Sequence, residues 1–479
     1  MRKTAAAVTV VLVFLAASCL TTGRPVSGAD IAENTWTQKA PMHETRWDML
    51  VAAANHRIYA IGGITDEGVV GTNEAYDPTT DSWLFKQPMP NPRQGFTIAT
   101  FKDKIYCIGG ILKNGTVTGL NEVFDPATDT WETKAPMPTV RLSLRANTAN
   151  NKIYLIGGYI PAFYTTQNFT ATPINEAYDP ATDTWSTKAP IPVAVNGYVS
   201  AVVDEKIYVF GGVENIKGTQ IYDAETDTWS QGATSPYSIY FGLAVATEGF
   251  NAPVRIYILH QDLSSAPPDG PVNGNAVLHV YDPGKERWSK ATIPPTNRSG
   301  YGFAILNDLL YAVGGAISGY QKFPDDWIHG PSLIARYANN EQYTPFGYGT
   351  IPPKVSIASP QNGNQSSNAV SLNFTVNKPV DWMGYSLDGQ QNTTVAGNST
   401  LNMSQGLHNV TVYANDTFGN IGASETISFN VSVPEPEPAT FPVAPVVTVS
   451  VAMIAAVGAG LLVYFRRRKR QPLATDSKL

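Results

Sequence analysis

IYAIGG (58–63), IYCIGG (105–110), IYLIGG (153–158), IYVFGG (207–212) and LYAVGG (310–315) are five copies of one short phrase, and their reading decides the fold. Each is an apolar run closed by a glycine pair. That is the form of a buried strand ending where side chains would collide or where the backbone needs positive φ. A second phrase follows downstream of each: NEAYDP (73–78), NEVFDP (121–126), NEAYDP (175–180), TQIYDA (219–224) and HVYDP (279–283). A third mark is tryptophan, at Trp36, Trp83, Trp131, Trp185, Trp229 and Trp288, spaced 44 to 59 residues apart. A fixed order at this period means a repeat architecture, not a string of independent domains.

The segments between turns are short and rich in Val, Ile, Tyr and Ala, with nothing at helical spacing, so they read as strands. Asp-Pro-x-Thr-Asp is turn chemistry, in which Pro fixes φ and Asp or Thr oxygens bond nearby amides. Each Trp opens a strand with an apolar face that one four-stranded sheet cannot bury alone. Neighbouring sheets must cover it, which packs the units radially into a ring. Six diglycine-type strands, six Tyr-centred strands and six tryptophans predict six blades. The first Trp precedes the first diglycine, and the last Tyr strand (Glu341, Gln342, Tyr343) has no Trp after it. The strand near Trp36 is therefore expected to complete the sixth blade.

From about Trp36 to Phe346 the chain resembles the kelch family, on the strength of the glycine pairs Gly62–Gly63, Gly109–Gly110, Gly157–Gly158, Gly211–Gly212 and Gly314–Gly315 with the Tyr and Trp positions quoted above. One copy departs from the pattern: RIYILHQ (255–261) puts His260 and Gln261 where two glycines are expected.

The expected fold class is all-β: a six-bladed kelch β-propeller over 30–350, a small immunoglobulin-like β-sandwich over 351–433 and one C-terminal transmembrane helix. Arg2-Lys3 and the uncharged run after them read as a secretory signal peptide, 1–29. AVSLNFTV, VDWMGYSL, LHNVTVYA and ETISFNVSV are the strands of the sandwich, and GLHNVTVYANDTFGN resembles the late strands of bacterial and archaeal immunoglobulin-like modules. Pro434 to Pro442 forms a stiff spacer. Val443–Phe465 carries no charge and is long enough for a bilayer core, and 466–479 opens on a basic cluster expected in the cytoplasm. The expected location is thus the cell membrane, single-pass, N-terminus outside, with the bilayer as one partner.

Residues 30–440 hold 24 Lys+Arg against 38 Asp+Glu, a net of −14. An acidic body of this kind argues against nucleic acid as a partner. Beyond the leader Cys107 is the one cysteine, inside a diglycine strand, and reads as a buried thiol. Asn-x-Ser/Thr acceptors occur at Asn114, Asn168, Asn297, Asn364, Asn373, Asn392, Asn398, Asn402, Asn409, Asn415 and Asn430, eight of them in the sandwich, and suggest a glycosylated stalk.

Loops after the diglycine strands emerge on one face of the ring. The third carries Phe163, Tyr164 and Phe169, and the sixth carries Asp325, Asp326, Trp327 and His329, making a candidate recognition surface. Arg46, Arg93, Arg141 and Arg298 each lie 12 residues before the start of the diglycine phrase, with Val195 in that place in the fourth unit. The kelch resemblance puts them near the channel mouth, where guanidinium groups fork onto carboxylates or sulfated glycans. The other reading gives them backbone carbonyls of adjacent blades as partners. No catalytic motif, metal-ligand spacing or cofactor signature emerges. A kelch-type copper-radical oxidase would need a Tyr-His pair, which is lacking, while a sugar mutarotase needs little beyond an acid and an Arg in the central pocket. The expectation is a cell-surface binding or adhesion protein that recognises an extracellular protein or glycan. A carbohydrate-active enzyme and a structural component of a surface layer are the alternatives.

Overall fold

The computed structural model describes residues 32–161, 170–212, 216–239, 241–262, 275–319, 332–433 and 444–468. Six four-stranded antiparallel sheets account for residues 35–344. Blade I runs Leu50–Ala54, Arg57–Ile61, Asn73–Asp77 and Ser82–Lys86, from the axis outward. Blades II, III, IV and V repeat that order within 97–134, 145–187, 199–232 and 243–291. Blade VI takes Gly302–Leu306, Leu309–Val313 and Asn340–Thr344 from the end of the ring and its outermost strand, Thr35–Lys39, from the start. Trp36 sits directly opposite Tyr343 in that ladder, as the strand count predicts. The innermost strands pack each on the next, including the first on the last, so the ring is closed.

The core lies between blades. Six apolar clusters each join residues of two neighbours; Tyr311 and Val313 of blade VI, for example, pack with Ile58, Tyr76 and Trp83 of blade I. Five of the clusters pair a repeat Tyr with a repeat Trp at about 5 Å between ring centroids, as for Tyr76–Trp83 and Tyr222–Trp229, and in the sixth Phe124 takes the Tyr place beside Trp131. Burial of these faces requires the adjacent sheet, which is why the unit cannot stand alone.

The glycine pair does two jobs. Gly63 has φ +93, and a Cβ there would fall 2.7 Å from the Trp47 carbonyl oxygen. Where His260 and Gln261 replace the pair, the strand simply continues to Asp262, with His260 opposite Val277. Loss of the glycines therefore converts a left-handed turn into three more rungs of ladder.

A second module follows at 355–431, with two sheets closing on a core of Val355, Leu372, Leu401, Val410, Val412 and Phe429. It touches the ring through Tyr348 against Phe418 and through Lys378, whose ammonium lies over Phe250. Lys378 is buried, held by Asp416 at 3.1 Å and by the Ile351 carbonyl.

The C-terminal helix spans Ala444–Arg468 and overturns the expected membrane anchor. Among the described residues no helix is long and apolar enough to cross a membrane. The single-pass placement at 443–465, with the bilayer as partner and a cytoplasmic tail, is therefore corrected. The leader (1–29), the spacer (434–442) and residues 469–479 lie outside the described residues.

Candidate functional site

The four repeat arginines are not at a solvent-facing mouth. Arg46, Arg93, Arg141 and Arg298 are all buried within the blades. Arg298 donates to Glu341 at 2.7 Å and to the carbonyls of Gly314 and Ala312 at 2.6 and 2.9 Å. Arg46 makes the matching set with Glu74, Gly62 and Ala60. Arg93 with Glu122 and Arg141 with Glu176 complete the series. The carbonyls belong to the arginine's own blade rather than to a neighbour; the link between blades runs through the Arg46 main chain, whose carbonyl accepts from Gly315 of blade VI. In blade IV both partners change together, to Val195 and Gln220, and the Gln220 amide bonds the Val193 main chain instead. Phe163, Tyr164, Phe169, Asp325, Asp326, Trp327 and His329 lie outside the described residues.

The structure points to the axial channel instead. Two residues after each repeat arginine position the backbone turns left-handed: Asp48, Gly95, Ser143, Gly197 and Gly300 have φ between 53 and 59. Phe241, at φ 42, holds the corresponding place before blade V. Asp48 N–H donates to Gly300, Gly197 to Ser143 and Phe241 to Gly197, at 2.8 to 3.0 Å, linking these turns between neighbouring blades. The inner strands that follow these turns line a cavity of about 120 Å³ touched by every blade, through Leu50, Ile98, Arg145, Ser200, Leu243 and Phe303. Below it the channel widens to about 260 Å³ between small side chains such as Ala99, Ala146, Thr148 and Ala244.

Arg145 is the charged group in that lining. It opens the inner strand of blade III, where the other blades place Leu50, Thr97, Val199, Leu243 and Gly302. Its Nη2 reaches across to the Gly242 carbonyl at 2.8 Å, while its Nε is buried without a partner. No carboxylate of the described residues lies within ion-pairing distance of it, and burial pulls its pKa below the ordinary arginine range. Asp48 belongs to the same mouth. Burial raises its pKa to about 6, while the Arg145 charge and a Gly95 N–H pull the other way. Phe241 completes the group: its side chain is 68% exposed, and its ring covers Gly197, where a Cβ would fall 2.9 Å from it. A cation with a spare donor, an acid near neutrality and an open aromatic ring form a mouth suited to a polar ligand with an acidic group.

Sequence reading missed Arg145, Asp48 and Phe241. The usable signal was a comparison across repeats at one column, the first inner-strand residue, where only the third copy is charged. Cys107 is buried in blade II and its thiol is pushed up to about 12, as expected of an inert core thiol.

Comparison with known proteins bears on the ring. Residues 95–315 match the KLHDC2/KLHL20/DRC7 Kelch-repeats domain, and residues 48–90 match the Kelch motif. The chain is 38% identical over 92 residues to halomucin of Haloquadratum walsbyi, covering 17% of this chain and 1% of that protein. The chain thus spans only about one hundredth of the length of the curated relative it matches. A solved structure titled "Structure of YjhT" aligns over 62% of this chain and 95% of its own, at 16% identity and a TM-score of 0.47.

Proposed function

We propose that this chain uses its kelch β-propeller as a binding module, recognising a protein or glycan outside the cell through an acidic group seated at the channel mouth. Arg145 supplies the recognising charge, and the observation that carries the reading is its buried Nε, which among the described residues has no partner and no carboxylate in ion-pairing range. An unpaired buried donor costs about 1–3 kcal/mol, so a site that keeps one gains by filling it. Phe241 offers an apolar or sugar-ring contact at the rim, and Asp48 orients hydroxyls. In this proposal residues 351–433 are an immunoglobulin-like module that holds the ring away from its base and carries glycans. Asn373 and Asn409 lie exposed on its two sheets.

The test is binding of the intact protein to an array of acidic and neutral glycans and to envelope proteins, with Arg145→Met, Phe241→Ala and the wild type side by side. Loss of binding on Arg145→Met, with thermal stability kept, supports the reading. Equal binding by all three overturns it, as does ordered self-assembly with no ligand at all.

A second reading has its own observation. A carboxylate held at about 6 beside a guanidinium is suited to proton transfer on a sugar, as a mutarotase requires. Turnover of a reducing sugar, lost in Asp48→Asn while binding persists, separates this reading from pure recognition.

A further inference from the structure

Adjacent blades are fastened by a repeated double bond at the outer rim. Asp81 accepts the Ala40 N–H at 2.9 Å, and Trp83 Nε1 donates to the Ala40 carbonyl at 2.8 Å. The same clasp grips Gln87 through Asp129 and Trp131, Ala135 through Asp183 and Trp185, and Ala189 through Asp227 and Trp229. At the V–VI junction Asn34 replaces the Asp, and with Trp36 it holds Thr292. Five of the six junctions thus carry the clasp.

The IV–V junction does not. Glu286 stands in the Asp position, and Trp288 Nε1 is buried without a partner. The arginine–glutamate pair is also gone, with Ile239 in the arginine place and His279 in the glutamate place. Among the described residues this is the junction that lacks the clasp, and the blade that follows it lacks the arginine–glutamate pair, while the main-chain link from Gly212 N–H to the Ile239 carbonyl remains at 3.1 Å.

What fills the gap is a histidine pair. His260 Nε2 lies 2.9 Å from His279 Nδ1, with both rings buried. His260 Nδ1 faces the Gln261 carbonyl at 3.0 Å and must donate to it. Its Nε2 is then the acceptor and His279 Nδ1 the donor, which fixes both tautomers. A proton added to His260 Nε2 sets N–H against N–H and breaks the bond. A proton added to the far nitrogen of His279 creates a buried imidazolium. The groups around the pair do little to hold that charge. Tyr237 stacks on His279 at 3.5 Å between centroids, and the Lys290 ammonium lies 5.4 Å from the same Tyr ring. Asp262, on the strand of His260, is the one acid acting on both.

We propose that the IV–V junction is where the ring opens, and that the His260–His279 pair makes this opening acid-driven. Burial holds His260 below its ordinary value and His279 down at about 3. A histidine with a lowered folded pKa contributes its full stability above the free value of about 6.5 and loses it as pH falls below that. Between pH 7.5 and 5.5 His279 therefore shifts the opening equilibrium about tenfold toward the open ring, and His260 adds to that shift in the same direction. The loosened junction adjoins Phe241 and Gly242, so opening there also releases the Arg145 anchor.

Hydrogen–deuterium exchange on the full chain at pH 7.5 and 5.5, corrected for intrinsic rates, tests the proposal. Residues 233–262 and 275–291 should lose protection about tenfold or more at pH 5.5, while the other five blades hold theirs. His279→Gln should remove most of that pH dependence, and Glu286→Asp, which restores a clasp acceptor on the surface, should raise protection of the junction at both pH values. Equal loss in every blade, or unchanged protection at 233–291 in the wild type, overturns the proposal without recourse to either variant.

Discussion

Replacing Arg298 by Val tests what the buried ion pairs contribute to the ring. The Arg298 and Glu341 side chains are each 1% exposed and joined at 2.7 Å, with Thr296 Oγ1 as the other partner of Glu341. Removing the guanidinium alone strands a carboxylate in the blade and strips donors from the Gly314 and Ala312 carbonyls. Breaking a buried pair in this way costs about 3–5 kcal/mol. Glu341→Gln alone leaves the cation stranded and costs a similar amount. The double variant is different, because it recreates what blade IV already has in Val195 and Gln220. There the amide bonds the main chain of Val193 at 2.8 and 3.0 Å, and the matching residue in blade VI is Thr296. What remains is two carbonyls without their donor at about 1 kcal/mol each, so the double variant should lie about 1–3 kcal/mol below wild type. The implied coupling is at least about 3 kcal/mol. Urea unfolding followed by circular dichroism and tryptophan fluorescence supplies the four stabilities. Additive losses, with coupling under about 0.5 kcal/mol, would refute the view that the pair is one unit exchanged whole between blades.

Three further outcomes follow from the same geometry. Asp48 has a raised folded pKa, so its ionisation weakens the fold as pH climbs from about 4 to about 6; Asp48→Asn should stabilise the protein by about 1–2 kcal/mol at pH 7 and by nothing at pH 4, read as paired melting curves. Gly63→Ala should destabilise by about 2–4 kcal/mol in urea, because the new Cβ meets the Trp47 carbonyl at a positive φ. Trp229→Phe should cost about 1 kcal/mol more than Trp288→Phe, since only Trp229 loses an indole hydrogen bond; equal costs would mean that the clasp does not fasten blades.

The ring was legible because its signals recur. Gly62–Gly63 and its four copies mark a turn that no side chain fits, and the Tyr–Trp pairs mark faces that need a neighbour. Even the closing strand was countable, since Trp36 came without a preceding diglycine. The candidate site was not, because Arg145, Asp48 and Phe241 are departures from the repeat, each in a single copy. The repeat arginines show the opposite hazard: periodic charge looked like a ligand-binding ring, yet each is matched by a glutamate 28 to 43 residues later that the strand pairing brings beside it. Asp81 and its equivalents were read as turn formers, which they are. Their second partner lies in another blade and becomes visible only once the sheets are arranged. The uncharged run at 443–465, its length and the basic cluster after it pointed to a bilayer span, which no helix among the described residues is long and apolar enough to make.

Tyr343 and Asn34, joined by a hydrogen bond, lie 309 positions apart along the chain. A ribosome adding about 5–20 residues each second needs roughly 15–60 s to deliver the partner of the first strand. For that interval the opening segment waits with both of its backbone edges unmatched, which is the state most prone to capture by another chain. Its composition suits the wait. Thr35, Thr37, Gln38 and Lys39 surround a lone indole, so premature pairing gains little, and docking becomes favourable only when Tyr257 and Tyr343 arrive to enclose Trp36.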